Sequence, residues 1–428
     1  MKQNMKHSVD QGFATRAVHA GRGDFAKLGV HAPPLDLSST YPTPDLDAAA
    51  RSFDSLVSGD APEGSFVYQR LFNPTTDRYE RALAELEGAE DAAAFGSGMA
   101  AFSAVLLASK SRGWHVVAVR PMYGTADHLL SSGLLGMEVT WAEQDEIREA
   151  IRPDTALVAI ETPANPTLEL VDIASVVRQA GAVPVLVDST FATPVLQRPL
   201  GHGAALVLHS ATKFLGGHGD VLAGVVAGSH ALIRDIKHVR AATGGLLHPF
   251  SSYLLHRGLQ TLELRVERAQ ATAIMLARRL AADPRIGSVR FPGLAGQDPR
   301  SLIGRQMSGP GSVLSFELAS DDPAVMRAFV GALELITPAV SLGSADTLIQ
   351  PPAMLTHRVV DAGAREQTGI TRGLLRLSAG LEDASDLWAD LDQALQRAEA
   401  RWEGQSWEED QRELTVLGSE TKALTAGS

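Results

Sequence analysis

Short apolar runs that stop abruptly at polar residues recur along the first half of the chain. Val183–Val187 runs into Asp188-Ser189-Thr190, and Ala205–Leu208 runs into His209-Ser210-Ala211-Thr212-Lys213. Ala92–Phe95, Val116–Val119 and Ala156–Ile160 behave alike, ending at Gly96-Ser97-Gly98-Met99, at Met122-Tyr123-Gly124-Thr125 and at Glu161-Thr162-Pro163-Ala164-Asn165-Pro166. Runs this short, bounded by Gly and Pro, predict strands buried on both faces, as in a parallel sheet. Helical spacing fills the intervals. Thr76–Leu86 carries apolar or small residues at 79, 82, 83 and 86, and Ala100–Ser109, Leu259–Ala281, Ala324–Ala332 and Asp386–Trp402 also predict helices. Val313–Leu318 and Leu333–Ile336 predict two later strands, and residues 232–258 read as a connector around Thr243-Gly244-Gly245. Strands alternating with helices place the chain in the α/β class.

The same pattern divides the chain. Residues 1–62 read as an arm, 63–265 as a large domain, 266–402 as a smaller α+β domain and 403–428 as a tail with no core pattern. An arm with little core of its own is expected to wrap over another surface.

Composition narrows the function. The chain holds 38 Lys and Arg against 50 Asp and Glu, a net charge of −12, with no basic tract to suit nucleic acid or anionic lipid. Its apolar stretches are too short to span a bilayer, and no apolar segment follows the N-terminal lysines, so a cytoplasmic protein is expected. The absence of cysteine removes disulfides, thiolate metal sites and a Cys nucleophile. The histidines, including His209, His218 and His357, show no metal-ligand spacing and read as structural.

Chemistry concentrates at the strand ends, where α/β sheets bind their ligands. Asp188 and Lys213 are delivered there by neighbouring strands. An amine that can form a Schiff base and a carboxylate that can hold a pyridine nitrogen protonated suit pyridoxal 5′-phosphate (PLP). Ser210 and Thr212 offer hydroxyls to phosphate, and Ser97, Gly98 and Met99 form a strand-to-helix turn whose N–H groups suit an anion.

The Ser-x-Thr-Lys-x-x-x-Gly-His pattern following a strand-ending Asp resembles the Cys/Met-metabolism family of PLP enzymes, which includes γ-lyases and γ-synthases. Five further boxes stand in order between about residues 60 and 400. That resemblance implies PLP-dependent transferase fold type I, aspartate aminotransferase-like, with a mixed, mostly parallel sheet sandwiched by helices. It implies that Tyr68 and Arg70 reach the cofactor phosphate of a partner subunit, in a tetramer built as a dimer of dimers. It also implies that Tyr123 stacks on the pyridine ring and passes protons, and that Asn165 bonds the cofactor's phenolic oxygen or the substrate carboxylate. Arg376, in Arg-Leu-Ser-Ala-Gly-Leu-Glu, would clamp the substrate carboxylate, with Ser341 in a second substrate-side turn. The expected reaction is γ-elimination from methionine, homocysteine or cystathionine. A γ-replacement synthase, or an inactive protein of the same fold, stands as the alternative. Three positions bear on the choice: Val67 suits a short apolar tail, Thr125 stands where methionine γ-lyases carry Cys, and Asp346 stands where the family often has Glu. Arg240-Ala241 replaces a Lys-Asp pair typical of methionine γ-lyases.

Overall fold

The computed structural model describes residues 11–402. The expected tail, 403–428, and the first ten residues of the arm lie outside the described residues. Seven strands form the larger sheet: β1 Asp91–Phe95, β2 His115–Ala118, β3 Glu138–Trp141, β4 Thr155–Glu161, β5 Val185–Asp188, β6 Leu206–His209 and β7 Gly224–Gly228. Their order is β1-β7-β6-β5-β4-β2-β3. β7 is antiparallel to both neighbours, and every other pair is parallel.

Alternation along these strands sorts side chains between two helical layers. Val116, Leu157, Leu186 and Leu206 meet Phe102, Val105 and Leu106 of helix Gly98–Ser109 on one face. Val117, Val158, Ile160 and Val187 meet Ile173 and Val176 of helix Ile173–Ala180 on the other. Since β2, β4, β5 and β6 run parallel, their carboxyl ends share one edge. Glu161 is there in register with Asp188, and Asp188 with Leu208, one residue before His209.

A second sheet contains β8 Ile286–Arg290, β9 Val313–Leu318, β10 Thr337–Pro338, β11 Leu348–Gln350 and β12 Leu375–Ser378, in the order β10-β11-β12-β9-β8. Leu333–Ile336 is not the predicted strand. Its backbone turns, and the N–H groups of Glu334, Leu335 and Ile336 donate to the Asp390 carboxylate at 2.8, 2.9 and 2.8 Å. The predicted connector is instead two helices, His230–Thr243 and Pro249–Leu259, and the glycines that suggested a loop form the cap between them, with Gly244 at φ 74°. Helix Leu262–Ala282 then crosses to the second sheet.

The arm is more folded than its sequence suggests. Helix Phe13–His19 buries Ala17 beside Ala20 in the large core, and Arg78 grips Asp24 at 2.6 Å. A 12-residue helix, Leu46–Val57, closes the segment. Between them Leu35 and Leu37 stay exposed.

Candidate active site

At the end of β1, Ser97 caps helix Gly98–Ser109, its Oγ accepting from Ala100 N at 3.1 Å and its carbonyl from Ala101 N. Gly98 and Met99 therefore hold the remaining first-turn N–H groups, an anion-binding arrangement. A Cβ on Gly98 would stand 3.0 Å from that of Ser210, so only glycine lets the helix start approach the Ser210 turn this closely. Thr212 departs from expectation: its hydroxyl donates to Ala223 O at 3.1 Å and accepts from Ala223 N at 2.9 Å. It fixes the turn, and it can donate to a phosphate only by releasing Ala223 O.

Two carboxylates stand side by side at the ends of β4 and β5. Asp188 Oδ1 accepts from Thr190 N at 3.0 Å and from the Thr190 hydroxyl at 2.5 Å. Burial raises its pKa, opposed by those two bonds and by nearby His209. Glu161 is raised further, first by burial and then by Asp188. Its two oxygens accept from Tyr123 N at 2.7 Å and Asn165 N at 2.8 Å. Glu161 thus fixes two predicted site residues at once, although in the sequence it only heads a proline turn.

Lys213 Nζ donates to Ser341 Oγ at 2.6 Å. Ser341 has φ 92°, a strained conformation for a residue with a side chain, and the next turn presses Gly343 against Phe214. Arg376, on β12 and buried, donates from Nη1 to Asn165 Oδ1 at 2.9 Å and from Nη2 to Ser341 O at 2.7 Å. One guanidinium therefore joins the second sheet to the Asn165 turn, within the field of Lys213. Burial, and then the Arg376 charge, lower Lys213 to about 8. Arg265 holds the same turn from below, donating to Phe214 O at 2.6 Å and Gly258 O at 2.7 Å.

A depressed lysine is neutral, and nucleophilic, above its folded pKa. The rate at which cofactor-free protein captures PLP is expected to rise with pH through about 8 and then level off. Stopped-flow absorbance would show this; a flat rate between about pH 6.5 and 9.5 would contradict it.

Tyr123 is half-buried, close enough to Arg376 to influence its charge. Behind it His357 Nε2 donates to Met122 O and Asn165 O, 3.2 and 3.1 Å away. Burial lowers His357 to about 4, which leaves the ring neutral at pH 7. A Cβ on Gly124 would lie 2.3 Å from Thr356 O, so the Tyr123 loop and the His357 segment touch through bare backbone. Glu161 and His357 are the supporting residues that sequence reading did not place in the site.

Thr125 and Asp346 are exposed, and Asp346 forms no ion pair among the described residues. Tyr68 is 45% exposed, and Arg70 bonds Ala241 O rather than anything around Lys213. Val67, before them, holds φ 58°, strained for a β-branched residue. No cluster of metal-ligating side chains occurs among the described residues.

The donor set fits PLP: an amine depressed to about 8, a buried carboxylate on the adjoining strand end, and a helix N-terminus packed on Ser210. Fold and site together define a PLP enzyme of fold type I. Residues 14–396 match the family described as Cys/Met metabolism PLP-dependent enzyme. The chain is 54% identical over 383 residues to an L-methionine gamma-lyase of Streptomyces avermitilis, covering 89% of this chain and 88% of the relative. It is 55% identical over 389 residues to one of Brevibacterium sandarakinum, covering 90% and 98%. The solved cystathionine gamma synthase of Xanthomonas oryzae pv. oryzae in complex with cystathionine superposes with a TM-score of 0.84 at 36% identity, covering 91% and 99%. This chain belongs to the Cys/Met metabolism family, and PLP is its cofactor.

Proposed function

We propose that the protein removes the γ-substituent of L-methionine, consuming one water and giving 2-oxobutyrate, ammonia and methanethiol, with Lys213 as the proton-carrying base. The observation that carries this reading is the Lys213–Ser341–Arg376–Asn165 cluster, in which a lysine lowered to about 8 stands beside a buried guanidinium. Relatives at 54% and 55% identity named L-methionine gamma-lyase support the choice of substrate.

Bound PLP supplies a cationic ring that stores the electron pair released at Cα. Asp188 keeps that ring's nitrogen protonated, and for this it must itself be ionised. The Gly98 and Met99 N–H groups and the Ser210 hydroxyl hold the phosphate. Arg376, with Asn165, holds the substrate carboxylate in two hydrogen bonds, which fixes the Cα–H bond towards Lys213. The Lys213 amine removes the Cα proton and then carries a proton from Cβ. Tyr123 gives a proton to the departing sulfur.

Val67, apolar and beside Tyr68, suits the thioether tail in a site completed by a second copy of the chain. The exposed Leu35, Leu37 and Tyr68 support such an assembly, which we propose is a dimer of dimers. No described helix is long and apolar enough to cross a membrane. Separate assays on L-methionine and L-cystathionine test the substrate. The reading expects kcat/KM for methionine to exceed that for cystathionine; the reverse order would overturn it. The likeness to a cystathionine gamma synthase favours a second reading, γ-replacement. That reading requires an O-acylhomoserine and a thiol to give a thioether faster than methionine is cleaved.

Shared sites make a separate prediction. Arg70→Ala and Lys213→Ala variants, each nearly inactive, are expected to regain activity when unfolded, mixed and refolded, up to about a quarter of the wild-type sites. No recovery above the two separate variants would place Arg70 outside the partner's site.

A further inference from the structure

β12 lies between β11 and β9, and Arg376 has a polar residue directly opposite it on each side: Gln350 on β11 and Ser315 on β9. Residues paired in this way on antiparallel strands share a face of the sheet, with Cβ atoms about 5 Å apart. All three side chains are almost wholly buried. Ser315 Oγ donates to Pro166 O at 2.7 Å, so this face looks onto the Asn165-Pro166 turn. Ser315 and Arg376 thus both reach that turn, whereas Gln350 has no part in the mechanism above.

The hydrogen bonds around Gln350 have a direction. Asn165 O can only accept, so His357 Nε2 carries the proton, and the neutral ring leaves Nδ1 as an acceptor. Thr356 Oγ1, 3.1 Å from Nδ1, therefore donates to it, and accepts in turn from Gln350 Nε2 at 2.9 Å. This chain orients the Gln350 amide, with its nitrogen on Thr356 and Oε1 left to accept. Gln350 Oε1 and Arg376 Nε are both buried, and both lack a hydrogen-bond partner among the described residues. An unmet acceptor and an unmet donor on adjoining buried side chains are costly apart and complementary together. The outer nitrogens of Arg376 are engaged, Nη1 with Asn165 Oδ1 and Nη2 with Ser341 O, so a carboxylate can enter only as the guanidinium shifts.

We propose that Gln350 is a positioning residue for Arg376: its Oε1 accepts the Nε proton when the guanidinium turns from Asn165 and Ser341 to the substrate carboxylate. A guanidinium is a planar fork, so a bond at Nε sets the plane in which the two outer nitrogens meet a carboxylate. Gln350 itself touches neither substrate nor cofactor. The inference rests on the reading of Arg376 as the holder of that carboxylate, and it extends the site to β11.

Binding of L-norleucine and of L-norleucinamide to PLP-loaded protein, read from the bound-cofactor absorbance, tests this without turnover. The two probes differ only at the carboxylate, so the ratio of their dissociation constants reports how well Arg376 is presented. Gln350→Met, which keeps the volume and removes the acceptor, is expected to reduce the wild-type preference for norleucine by about tenfold. Should that variant not fold, Gln350→Ala carries the same comparison. Thr356→Val cuts the link to His357 and leaves Oε1 in place, and it is expected to keep the wild-type ratio. An unchanged ratio in the folded Gln350 variant would overturn the proposal; so would an equal loss in Thr356→Val, which would assign Gln350 to the support of His357. Arg376→Lys, measured alongside, separates the two readings. If it loses the preference and the Gln350 variant keeps it, the Gln350 assignment falls alone; if both keep it, the carboxylate role of Arg376 falls as well.

Discussion

Lys213→Ala is expected to lower turnover of L-methionine by about 10³-fold or more, while the protein stays folded. Under the proposed mechanism two losses combine in the one side chain: the covalent link to the cofactor, and the base that removes the Cα proton. The fold should tolerate the change. Lys213 makes one side-chain hydrogen bond, to Ser341, and burial already depresses its charged form, so truncation removes a desolvated group. Circular dichroism and the urea midpoint should change by less than about 1 kcal/mol equivalent, whereas the lysine-linked visible absorbance should vanish. Retention of full turnover would end the account of this site.

The second large effect concerns Arg376. Arg376→Lys keeps the charge and loses the planar fork, and it is expected to cost about 2–4 kcal/mol in kcat/KM, roughly 30- to 1,000-fold. Its two bonds reach an acceptor on each side of the cleft, Asn165 Oδ1 and Ser341 O, and a single ammonium cannot span both at 2.9 and 2.7 Å. Both KM and kcat should suffer, because in the proposed mechanism the carboxylate contact also fixes which Cα bond faces Lys213. Steady-state kinetics on the purified variant measure the split. A change confined to stability, with kinetics intact, would show that Arg376 ties the second sheet to the Asn165 turn and does nothing more.

The sequence was most legible where burial was two-sided. β2, β4, β5 and β6 are buried throughout or nearly so, and their apolar runs end within two residues of the observed strands. β3 was missed because it is a partly exposed edge with the sequence Glu-Val-Thr-Trp, and β7 because its Gly-Val-Val-Ala-Gly run reads equally as a glycine-bounded loop. β8, with no fully buried residue, gave no pattern.

In the candidate site, Asp188 ends β5, Lys213 follows the end of β6 by four residues and Arg376 lies on β12, each beside characteristic neighbours that let the sequence single it out. Glu161, which fixes Tyr123 and Asn165, could not be singled out: it acts through their backbone N–H groups, and such contacts leave no local signature. Thr212 illustrates the converse, a hydroxyl of the right type and place that the structure engages with Ala223.

The central claim, γ-elimination at the Lys213 site, is tested most directly by mass balance. PLP-loaded protein given L-methionine alone is predicted to release 2-oxobutyrate, ammonia and methanethiol in equal amounts, and Lys213→Ala to release none of them. A keto acid without an equivalent of thiol, or no product from methionine at all, would contradict it.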